Sequence, residues 1–109
     1  MTNDNTFYPF TLLEHEETYS LLLVDLKWNA FEKEGFLGNG HDWNRLIENL
    51  CKEQEPNLIS TLEFDSEADM FCVRSQDEKS LAKVAEFVSI FYDDESSLIE
   101  HISKYAQYG

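Results

Sequence analysis

The chain has 109 residues, 42% of them hydrophobic, with eight Phe, five Tyr and two Trp, a length that suits one domain with one core. Its 22 Asp and Glu stand against 8 Lys and Arg, a formal net charge of −14. That charge argues against direct binding to DNA, RNA or anionic lipid and points to a cationic partner, while the recurring aromatic and branched residues argue against an acidic disordered chain.

Residues 1–6 read as a flexible polar tail ahead of one domain spanning the chain, with no signal-peptide pattern and hence a cytoplasmic location. Phe7 to Glu14 and Tyr19 to Trp28 read as two strands joined by the charged turn His15-Glu16-Glu17-Thr18. Leu21, Leu22, Leu23, Val24 and Leu26 are apolar on both faces, as in a central strand, and are far short of the roughly 20 residues that cross a bilayer. Trp28 continues that alternation and reads as core. Gly35, Gly38 and Gly40 then mark a loop, in which Phe31 and Phe36 have no periodic reason for burial and read as exposed interface aromatics.

From Asp42 the period becomes helical: Trp43, Leu46, Ile47 and Leu50 share a stripe, Asn39 or Asp42 is the expected cap, and Pro56 the stop. Leu58 to Asp65 and Asp69 to Ser75 read as two more strands, turning through Asp65-Ser66-Glu67-Ala68. Ser75 and Glu78 have capping-box spacing ahead of a helix with Leu81, Val84, Ala85, Val88 and Phe91 on its buried side. Asp93-Asp94-Glu95 breaks the chain before a last helix that buries Leu98, Ile99, Ile102 and Tyr105. The order is ββαββαα, an α+β domain with helices packed on an antiparallel or mixed sheet.

The most distinctive segment is Leu62 to Val73, where Glu63, Asp65, Glu67 and Asp69 occupy alternate positions. In an extended segment such residues share a face, so these acids form either a row or, if the chain turns among them, a charged hairpin tip. Asp65-x-Glu67-x-Asp69 starts like a calcium loop, but Met70 and Gln76 stand where that loop needs Gly and a bidentate Glu. His15, His41 and His101 are scattered, and Cys51 and Cys72 read as ordinary buried thiols with no Cys-x-x-Cys pair. Gly35-x-x-Gly38-x-Gly40 is not a dinucleotide fingerprint. No catalytic constellation, cofactor or metal is expected. The partner-binding candidates are Glu63, Asp65, Glu67 and Asp69 by charge, with Phe36 and Asn39 of the glycine loop as anchors.

Two segments carry a family resemblance: Gly38-Asn-Gly-His-Asp-Trp43 at the start of a helix, and the hairpin Phe64-Asp-Ser-Glu-Ala68. Together they make the chain, from about Trp28 to Tyr105, resemble immunity protein family 51 of bacterial polymorphic-toxin systems. His41 stands where an aromatic Tyr is expected, and Ser66 where Pro is frequent. The resemblance implies a small, non-enzymatic cytoplasmic α+β antidote that binds a cognate toxin domain. Many toxin domains of such systems act on nucleic acids and are basic, so the resemblance also implies a basic, nuclease-type toxin, which the chain's acidity suits. An acidic regulatory or adaptor domain for another basic protein fits the composition equally.

Overall fold

The computed structural model describes residues 6–107. Apart from Thr6, the predicted tail therefore lies outside the described residues. The elements are β1 (Thr11–His15), β2 (Thr18–Leu23), α1 (Trp28–Glu32), α2 (Gly40–Gln54), a 3-10 turn (Pro56–Thr61), β3 (Glu63–Phe64), β4 (Phe71–Ser75), α3 (Glu78–Ser89) and α4 (Glu95–Tyr105). The four strands pair antiparallel in the order β1-β2-β4-β3, so β2 is central as its apolar run predicts. The α+β expectation holds, with one short helix added before α2.

Alternation along β2 and β4 builds the inner face of the sheet. Leu21 and Leu23 pair with Val73 and Phe71 and lose all or nearly all contact with solvent. Against this face pack the stripes of α2 (Trp43, Leu46, Ile47 and Leu50) and α3 (Leu81, Val84, Ala85 and Val88), while Leu98 and Ile102 of α4 join the same core from the side of α2 and α1, with Phe91 beside them. Trp43 is fully buried, donates its indole N–H to the Leu26 carbonyl at 2.6 Å, and packs on Phe31 with ring centroids 5.2 Å apart. Cys51 and Cys72 are buried free thiols, and burial pushes the Cys51 thiol up to about 12, out of nucleophilic range.

Four local expectations are corrected. The strand read at 58–65 is a 3-10 turn followed by the two-residue β3. Pro56 starts the turn, and the Ser60 and Thr61 hydroxyls donate to the carbonyls of Asn57 and Leu58, satisfying acceptors that a strand would need. The cap of α3 is Asp77, which accepts from the Lys79 N–H at 3.1 Å; Ser75 is paired to Tyr19 in the sheet and instead accepts from the Asp77 N–H. Phe31 is fully buried against Trp43, because it lies on the inner side of α1. Trp28, read as core, is 55% exposed: β2 ends at Leu23, and Lys27 takes a left-handed conformation (φ 50°) that turns the chain into α1.

Candidate functional site

The glycine loop and the acidic hairpin are in direct contact. Gly35 (φ +87°) closes α1: its N–H bonds to the Glu32 carbonyl and the Phe36 N–H to that of Phe31, both at 3.0 Å, the pattern of a helix ended by a left-handed glycine. Asn39 then caps α2. Its Oδ1 accepts from the Asp42 N–H at 2.9 Å, while the Asp42 carboxylate accepts from the N–H groups of Gly38 (2.7 Å) and Asn39 (3.4 Å). Asp42 is only 4% exposed, and its other oxygen meets the Arg45 guanidinium at 2.7 Å. Arg45 also donates to the Ala106 carbonyl and lies over the Phe36 ring, so this one arginine ties the loop to the end of α4.

Gly40 seats the hairpin. Its N–H donates to the Ala68 carbonyl at 2.9 Å, and a Cβ built on it would stand 2.0 Å from the Glu67 carbonyl oxygen and 2.3 Å from that of Met70. Only glycine lets the tip lie this close to the helix. The Ser66 hydroxyl adds a second attachment, donating to Asn44 Oδ1 at 2.7 Å and accepting from the Cys72 N–H at 3.1 Å. The chain turns at Ala68-Asp69, with Glu67 and Met70 bonded to each other, rather than through 65–68 as predicted.

Glu63, Asp65, Glu67 and Asp69 are all exposed, with Leu62, Phe64 and Ser66 half-buried between them, so the alternation is real up to the turn. Asp65 pairs with Arg74 at 2.5 Å, and Glu63 sits opposite the same Arg74 in the sheet register. Glu63, Glu67 and Asp69 make no side-chain hydrogen bond or ion pair among the described residues. The acids do not converge on a point: among the described residues no group of three His, Cys, Asp or Glu is placed to hold a metal ion. Of the predicted anchors, Phe36 is half-buried against the core and Asn39 is half-buried with its carbonyl engaged as a cap. Both organise the loop. The outermost side chain of that loop is Leu37, 80% exposed.

On the other side of the loop, Gly38 (φ +79°) abuts Trp28, whose Cα would lie 2.6 Å from an added Cβ. Trp28 borders a groove of about 330 Å³ between the β2–α1 connection and the α3–α4 break, with Asp25, Lys27, Tyr92, Asp93 and Glu95 around it. The Tyr8 hydroxyl donates to both oxygens of Asp93, at 2.7 and 2.6 Å, and its ionisation is held above the usual phenol range chiefly by that bond. Tyr92 donates to the Asp25 carbonyl, and burial, then the Asp25 charge, push its phenol up. Period-two reading missed this groove; the signal that marks it is Ala30-Phe31 followed by Gly35-Phe36, a short helix with its closing glycine.

No curated protein and no solved structure matches the chain. The family model described as immunity protein 51 matches residues 10–107, which takes in both hairpins, the glycine loop and all four helices. On that match, the chain belongs to the immunity protein 51 family and has the role of an immunity protein.

Proposed function

We propose that the chain acts in the bacterial cytoplasm as the antidote of a polymorphic-toxin system, binding a basic, nuclease-type toxin domain through the acidic face around Glu63, Asp65, Glu67 and Asp69. The observation that carries this reading is the mounting of these acids. The backbone that bears them is fixed to α2 through Gly40 and Ser66, while three of the four carboxylates have no internal partner among the described residues. Unspent negative charge on a fixed backbone is what a phosphate-binding surface on a partner would accept in place of nucleic acid. With a net charge of −14, steering can speed encounter to about 10⁸ M⁻¹s⁻¹ or more at low salt, which favours an antidote that must act before damage is done.

The test combines Glu63→Gln, Asp65→Asn, Glu67→Gln and Asp69→Asn in one folded variant and measures its binding to the toxin domain encoded beside it. The expected result is weaker binding, mainly through a slower on-rate whose dependence on salt is flatter than in the parent. A folded variant that still protects toxin-expressing cells, with unchanged rates at every salt concentration, would remove this face from the interaction.

A further inference from the structure

Trp28 is a large aromatic left 55% exposed at a groove, on a chain that buries Trp43 and Phe31 completely. Exposed tryptophan beside a cleft is the side chain most enriched where binding energy concentrates. Beside it, Lys33 occupies Glu95 at 2.7 Å, and Tyr8 and Lys27 occupy Asp93. Asp25 lies exposed, and its carboxylate, which stands near enough to the Tyr92 phenol to push it up, makes no ion pair among the described residues. Lys27, between them in sequence, is held at φ 50°, a conformation unfavourable for a non-glycine residue, and Asp25 and Trp28 line one groove on either side of it. The walls already hold one cation on an aromatic face: the Lys27 ammonium sits 4.6 Å from the centre of the Tyr92 ring.

We propose that this groove receives an arginine side chain of the toxin domain, its guanidinium stacked on Trp28 and paired with Asp25. This rests on the toxin-binding reading and adds the apolar anchor that the acidic hairpin lacks. Arginine suits the site better than lysine because its planar fork can stack and bind a carboxylate at once. The groove is continuous with the acidic face: the glycine loop touches Trp28 through Gly38 and the hairpin tip through Gly40. Both surfaces can therefore meet one partner, aromatic anchor beside charged border.

Trp28→Ala and Asp25→Asn are the test variants, since neither side chain belongs to the core and Tyr92 keeps its bond to the Asp25 backbone carbonyl in the second. Against the neighbouring toxin domain, Trp28→Ala should weaken binding at least about tenfold through faster dissociation, and Asp25→Asn severalfold. Unchanged dissociation in both variants, while the charge-reduced hairpin variant still loses binding, would overturn the groove and keep the acidic face. If the parent chain does not bind that domain, the function proposed above fails for it, and a titration with tetra-arginine decides the groove independently. A saturable shift of the Trp28 indole N–H resonance, absent in Asp25→Asn and weaker with tetralysine, supports it. No saturable shift at Trp28, or an equal one in Asp25→Asn, overturns it.

Discussion

The molecule carries two acidic hairpins, and they are held in opposite ways. In β1–β2, His15 pairs with Thr18, so Glu16 and Glu17 form a two-residue turn with φ of 50° and 67°. Both φ values are positive, the turn geometry that favours Asn-Gly, yet both residues are glutamates. That turn is exposed throughout, and the His15 ring stands 3.9 Å from the Glu16 carboxylate with both side chains more than 80% open to water. In β3–β4 neither Ala68 nor Asp69 has a positive φ, and the tip is pinned to α2 by a backbone bond, a glycine contact and a serine hydroxyl. Charge alone does not distinguish the two hairpins. What separates them is whether other parts of the fold fix the backbone under the charge, and a carboxylate on a fixed backbone meets a partner at the cost of ordering its own side chain alone.

The sharpest way to break this difference is Gly40→Ala. With carbonyl oxygens 2.0 and 2.3 Å from the new Cβ, the tip must leave the helix, and we expect a loss of about 3 kcal/mol or more in denaturant unfolding. Hydrogen exchange in the variant should then show the amide at position 40, parted from the Ala68 carbonyl, opening far below the global unfolding energy. A variant of parental stability would mean that the tip is not seated as described. The reverse experiment acts on the free hairpin: Glu16→Asn with Glu17→Gly gives the turn residues suited to its backbone and removes two like charges, for an expected gain of about 1–2 kcal/mol. If protection against toxin is unaltered by that pair, the first hairpin is no part of the binding face. The smallest effect belongs to Ser66→Ala, about 1 kcal/mol, since Cys72 N–H loses its acceptor while the Gly40 contact stays.

How much of this could be read in advance follows from the range of the interactions. The stripes of α2, α3 and α4 and the Asn39–Asp42 cap are local patterns, and the structure repeats them except that Ile99 is only half-buried and Phe91 lies just past the end of α3. The exposure of Glu63, Asp65 and Glu67 follows likewise from period two. Trp28 and Phe31 were misread together because α1 is only five residues long, too short for a helical period to stand out, and because a left-handed lysine ended the alternation unannounced. The 3-10 turn at 56–61 was hidden by Ile59 and Thr61, whose β-branching favours strands until a proline and two hydroxyls decide otherwise. The contact of Gly40 with the hairpin tip joins residues 27 or more apart in the chain, and no local pattern encodes it.

The seating of the tip on Gly40 also bears on how such a protein can change. Because the hairpin is held by main chain, Gly40 and Ser66, the outward carboxylates of Glu63, Glu67 and Asp69 contribute nothing to its shape. Exposed positions of this kind tolerate substitution within about 0.5 kcal/mol. A lineage confronting an altered toxin could therefore rewrite this part of the proposed recognition surface one residue at a time, without re-solving the folding problem at each step.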